Sequence, residues 1–166
     1  MGRPPECLSE KDQRKVYYGN KLFHWTMSII RHCMRHGAPF ILENPRTSMV
    51  WDTPAMQKLF RNPQCRRTNL DFCQFHVPWK KATSLLSFNV PSVGRLHKQC
   101  TYRGPCTWSG VPHVVLTGTD EHGVFWTSRA SPYPDLFAAK SAQVIYDTIT
   151  GFKAERAARA AQFTRA

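Results

Sequence analysis

Over residues 11–36 apolar side chains recur at three- and four-residue spacing. Val16, Phe23, Met27, Ile30 and Met34 form one stripe. Tyr18, Leu22, Trp25, Ile29 and Cys33 form a second beside it, and His24, Ser28, Arg31 and Arg35 fall opposite. So wide an apolar arc predicts a helix packed on a sheet, which Gly37 is placed to end. Pro39-Phe40-Ile41-Leu42 is apolar without alternation and reads as a buried strand of the parallel-sheet kind. Thr53-Pro54 has the form of an N-cap followed by proline at the first helical position, opening a short helix through Phe60. Helix, strand, loop, helix is the rhythm of a doubly wound α/β layer.

After about residue 62 the texture changes. Short β-prone runs at 66–73, 82–90 and 113–118, and a hairpin-like piece around Gly123, are punctuated by Pro, Gly and Cys. A final helix begins near Asp135 with Phe137, Val144, Ile145, Ile149 and Phe152 on one side. A tail with Lys153, Arg156, Arg159 and Arg165 against Glu155 reads as a basic helical end. The expected fold class is α/β: a partial Rossmann-like, doubly wound layer carrying a β-rich basic insertion. Its parts are residues 1–62 (opening on an irregular lead-in over 1–10), 63–130 as the insertion, and 131–166 as the closing helix and tail.

Charge sharpens this picture. Lys and Arg total 23 against 11 acids, a formal net charge of +12, and a field of that sign favours phosphate-rich partners. No acid stands between Asp71 and Asp120, whereas Lys80, Lys81, Arg95, Lys98 and Arg103 do, with Phe72, Phe75, Trp79, Phe88, Tyr102 and Trp108 interleaved. Bases could stack on such aromatics, although a core role is their ordinary use. Arg66, Arg67, Lys80, Lys81, Thr83, Arg95 and Lys98 are the candidate nucleic-acid contacts, DNA being the expected partner. A solvated face is the competing reading of the basic pairs. No run is apolar enough to span a membrane, and Met1-Gly2-Arg3-Pro4-Pro5 lacks a signal-peptide core. An intracellular, reducing compartment is expected, in which the six Cys serve as buried thiols or metal ligands and not as disulfides.

Two constellations could carry chemistry. Glu43-Asn44-Pro45 lies where a strand runs out, the place where α/β sheets hold ligands, and the proline keeps Asn44 extended. A carboxyl group there could protonate an acceptor such as cytosine N3, or Glu43 could merely cap a neighbouring helix. The other constellation is Cys73, Cys100, Cys106 and His113, with His76 and His97 as substitutes. Cys100 and Cys106 flank a Tyr-Arg-Gly-Pro turn that would bring two thiolates together, and His113 is read as opening the next strand. Thiolates and an imidazole suit tetrahedral zinc, although a set of buried thiols and exposed histidines explains the same residues.

Several short segments stand in a familiar order. Phe40-Ile41-Leu42-Glu43-Asn44-Pro45, followed by Ser48 to Trp51, comes first. Then come Cys73-Gln74-Phe75-His76, Trp79-Lys80-Lys81-Ala82-Thr83, and Ala130-Ser131-Pro132-Tyr133-Pro134 before a helix; Gly19-Asn20 fits as well. Over roughly residues 15–148 the chain resembles the later portion of cytosine-5 DNA methyltransferases, and is especially similar to divergent phage-type and retroelement-associated relatives. The resemblance implies that Glu43, Asn44 and Pro45 face a flipped base and that residues 66–118 recognise the target. It also implies S-adenosylmethionine as cofactor, provided an upstream segment or a second chain completes the domain. The family's glycine-rich cofactor loop and Pro-Cys nucleophile have no counterpart before Glu43. Pro105-Cys106 stands in the wrong place, and the family's Tyr, Gly and Pro are Phe75, His76 and Ala82. A truncated domain, inactive alone, is the expectation. The alternative is a non-enzymatic, zinc-stabilised nucleic-acid-binding module.

Overall fold

The computed structural model describes residues 7–101 and 104–163, the last nine through their backbone only. The first six residues of the lead-in, Tyr102 and Arg103, and Arg165 with the side chains of Glu155, Arg156 and Arg159 lie outside the described residues.

Helix α1 spans Glu10–Arg35. Ser9 caps its start by accepting the Asp12 amide, and Glu10 and Asp12 sit favourably at the positive end of the dipole. Gly37, at φ +65°, ends it: the amides of Gly37 and Ala38 turn back onto the carbonyls of Met34 and Cys33. Strand β1, Phe40–Pro45, follows. After a 3-10 turn at Met49–Asp52, Thr53 caps helix α2, Pro54–Phe60, with Pro54 in its first turn. Strands β2, Cys65–Asp71, and β3, Ala82–Phe88, flank the 3-10 turn Phe72–Phe75. A further 3-10 turn, Pro91–Leu96, precedes the loop-rich half. That half closes with the single turn α3, Trp126–Arg129, and the long helix α4, Asp135–Phe163.

The sheet corrects one expectation directly. Its order is β1-β3-β2, and both pairings are antiparallel. The unbroken apolar run of β1 therefore does not mark a parallel strand. It arises because helices cover both faces of the sheet, and that is what removes alternation. The run at 113–118 also forms no strand, so His113 sits in a loop. Near Gly123 the chain makes one isolated bridge, Thr119 to Phe125.

Two cores lie on opposite faces. On one, Leu70 and Leu85 pack with Phe72, Phe75 and Val93 against Phe137 and Val144 of α4. On the other, Met27 and Ile30 of α1 pack with Trp51, Met56, Leu59 and Leu86. Each such buried side chain stabilises the fold by about 1.5–3 kcal/mol. The stripes predicted for the helices are only partly buried. Leu22, Trp25 and Ile29 of α1 are exposed, as are Ile145 and Ile149 of α4, where Thr148 takes the inward position instead. Among the described residues no helix is long and apolar enough to cross a membrane.

Candidate metal centre

Cys73 enters from the 3-10 turn that follows β2, Cys100 from just beyond Leu96, and Cys106 and His113 from the loop after it. The three cysteines are buried together, none forms a disulfide, and His113 is half-buried beside them. One donor atom from each of the four lies within 4.8 Å of the others. The Cys100 Sγ and His113 Nε2 are 3.6 Å apart. Zinc bonded to sulfur at about 2.3 Å in a tetrahedron separates its ligand atoms by about 3.8 Å, so these donors need to move little to close on an ion. Four protein ligands leave no open position, which is the pattern of a structural and not a catalytic site. The buried Cys3His group could bind a metal such as zinc.

The surroundings favour thiolate at Cys106 and thiol at Cys73. Burial pushes the Cys73 thiol up to about 12, the nearby thiols of Cys106 and Cys100 adding to the effect against the Gln74 amide. Burial also acts on Cys106, but the Ser109 and Trp108 amides, the Ser109 hydroxyl and Cys73 outweigh it and bring that thiol down to about 6. The loop around Cys106 is closed by reciprocal bonds: its amide donates to the Val111 carbonyl and its carbonyl accepts the Gly110 amide, both at 2.8 Å. Gly110 sits at φ +72°, where a side chain would be strained.

A second set of residues, not singled out in the sequence, orients the ligands. The Gln74 side-chain amide lies 3.7 Å from the Cys73 sulfur and 3.9 Å from that of Cys106. The Thr107 amide donates to the Cys100 sulfur at 3.4 Å. Asp71, wholly buried, accepts the Cys100 amide on one carboxylate oxygen at 2.8 Å and the Arg46 guanidinium on the other at 2.9 Å. Outer groups of this kind fix ligand geometry in metal sites. The proposed substitutes stay outside: His76, at φ +70°, is exposed and stacks on Trp108 at 4.4 Å, and His97 is exposed.

The basic candidates fare unevenly. Thr83 is wholly buried and donates to the Lys81 carbonyl, so it is closed to any ligand. Lys81 donates to the Ala130 carbonyl at 2.8 Å, and Lys80 reaches the carbonyls of Cys100 and Thr101, both at 3.4 Å. The Arg67 guanidinium lies over Trp51 and Phe60, and Arg95 pairs with Asp147 at 2.5 Å. Arg66 and Lys98 are exposed.

Glu43 is half-buried on β1, where the Tyr133 hydroxyl donates to its carboxylate at 3.1 Å. Burial, and then the charge of Glu43, raise the Tyr133 pKa above the usual phenol value. Asn44 is half-buried on the other face, and the Pro45 carbonyl accepts the Trp51 indole N–H at 2.8 Å. No protein-family model, curated protein or solved structure matches the chain.

Proposed function

We propose that this chain is a nucleic-acid-binding domain whose loop-rich half is held in shape by zinc on Cys73, Cys100, Cys106 and His113. The convergence of those four donors carries the reading. Among the described residues from 97 to 125 there is neither helix nor strand, only one isolated bridge. A loop of that length has little backbone pairing to define it, and a metal tying it to the turn after β2 supplies the missing constraint. Zinc here would join thiolates and imidazole and carry no reaction. The net charge of +12 and the acid-free stretch between Asp71 and Asp120 give the surface its affinity for phosphate. The test is the binding of a labelled DNA duplex at rising salt, with and without a chelator. Affinity should fall steeply with salt and fall again when metal is removed. Affinity that ignores both would end this reading.

A second reading is favoured by the contact between Glu43 and Tyr133, because it joins two of the segments that resemble cytosine-5 DNA methyltransferases. In it the antiparallel sheet is one side of a Rossmann-like layer, and Glu43 faces a flipped cytosine of a mobile-element enzyme. The residues present do not fit S-adenosylmethionine: Ser9 and Thr53 start α1 and α2, with no glycine-rich turn at either. No step through that cofactor follows, and this chain alone should transfer no methyl group to DNA. Radiolabelled methyl transfer by the chain would reverse that conclusion. If a second chain restores activity, Glu43→Gln should abolish most of it, since an amide cannot deliver a proton to the base.

A further inference from the structure

We infer that the open edge of β1 pairs with β1 of a second copy of this chain, extending the sheet across a two-fold axis. The inference stands apart from the zinc and nucleic-acid reading.

The backbone is the first ground. The Arg46 amide bonds the Ala82 carbonyl, so Asn44, Leu42 and Phe40 direct their amides and carbonyls toward β3. Ile41 and Glu43 then direct theirs to the outer edge, and no described residue pairs with them there. The outward carbonyl of Pro45 is taken by the Trp51 indole, which limits the free stretch to residues 41–43. A two-fold axis at Leu42 would set Ile41 against Glu43 of the second copy, and the reverse, in hydrogen-bonded pairs that need only that stretch. Glu43 and Pro45 are the features of this edge that discourage pairing; it has no lysine and no bulge, and Phe40, Ile41 and Leu42 are apolar.

The helices are the second ground. The Arg31 and Arg35 side of α1 faces α2 across a groove shared with Lys58 and Arg61, and α2 sits by β2. Helical spacing therefore places Leu22 and Ile29, with Trp25 beyond them, on the side of β1. On the other face Asp147 of α4 turns to Arg95 on the Pro91–Leu96 turn, also by β2. That leaves Ile145 and Ile149 on the β1 side, where they line a cleft with Phe40 and Ile41. Both helical layers thus carry an apolar flank past the same open edge.

Area and symmetry select the occupant. Leu22, Trp25, Ile29, Ile145 and Ile149 are 63%, 70%, 53%, 47% and 45% exposed. At roughly 200 Å² for a large side chain they offer on the order of 500–600 Å² per copy. With the strand edge added, this approaches the ~800 Å² per partner of a standard interface. A second copy supplies the same three features in matching positions. Its charge of +12 opposes association, so the dimer should tighten as salt rises, the reverse of a phosphate contact.

The experiment is sedimentation of the metal-containing full chain over a concentration series at low and high salt, with amide exchange read at Ile41 and Glu43. The expected result is a dimer, tighter at high salt and kept after chelation, with both amides protected. Trp25→Glu with Ile149→Glu, at exposed positions that leave the cores intact, should weaken it at least ~tenfold and free both amides. Trp25→Glu alone should shift it in the same direction. A monomer at every salt concentration overturns the inference, including one that pairs with a strand of another protein. So does a dimer indifferent to these substitutions, or one lost on chelation alone, since its interface would then lie in the loop-rich half.

Discussion

Asp71 accepts the amide of Cys100 at 2.8 Å, and its own amide donates to the Lys98 carbonyl at 2.8 Å, so the end of β2 is fastened to the candidate metal centre. The other oxygen of the same carboxylate holds Arg46, which follows β1. Asp71→Ala would remove the buried carboxylate that both the Arg46 guanidinium and the Cys100 amide bond. Loss of one partner of a buried pair costs about 3–5 kcal/mol, and loss of an outer group costs about 10–100-fold in metal affinity. Denaturant unfolding and competition with a zinc indicator should register both losses. A variant with unchanged midpoint and zinc affinity would detach Asp71 from the site.

The cations divide into committed and uncommitted groups. Arg66→Ala with Lys98→Ala should lower the salt slope of DNA binding by up to about two and leave melting unchanged, because both side chains are exposed. Lys81→Ala should instead lower stability by about 1 kcal/mol, since its ammonium holds the Ala130 carbonyl. The comparison requires duplex binding and thermal melting on the same preparations. Equal effects of the two changes on both readouts would remove the distinction.

Acid should loosen the Thr119–Phe125 turn. Burial opposes ionisation of Asp120, but the Val124 amide, the Arg129 guanidinium and the His122 amide prevail and hold its carboxyl below the usual carboxylate range. A group depressed on folding stabilises above its unfolded pKa, and that stability is lost as pH falls through the folded one. The Val124 and His122 amide resonances should therefore keep their positions through neutral and mildly acidic pH and move together below the ordinary carboxylate range. Movement at the ordinary value would mean that the turn does not hold Asp120.

Local signals in the sequence carried the elements well. The capping residues Thr53 and Gly37 act within a few positions of themselves, so the end of α1 and the start of α2 were legible; the Ser9 cap, placed in the lead-in, was not. The metal quartet was also legible, because three thiols and an imidazole are the donor set that tetrahedral zinc takes. The direction of β1 was not, since helices on both faces give an antiparallel strand the apolar run of a parallel one. Nor were Asp71, Arg46 and Gln74, whose partners across the site lie 25 to 33 residues away, or Thr107, whose amide reaches the sulfur of Cys100. The same holds for the bond from Lys81 to a carbonyl 49 residues on.

Metal content of the purified full chain tests the central claim most directly. Mass spectrometry of the intact protein should find about one zinc per chain, bound by thiolates and imidazole. Cys106→Ser should lose the ion, and chelation should lower the melting temperature, because metal affinity is part of folding free energy in such sites. Protein that carries no metal after expression with zinc, and that melts alike with and without a chelator, would contradict the account.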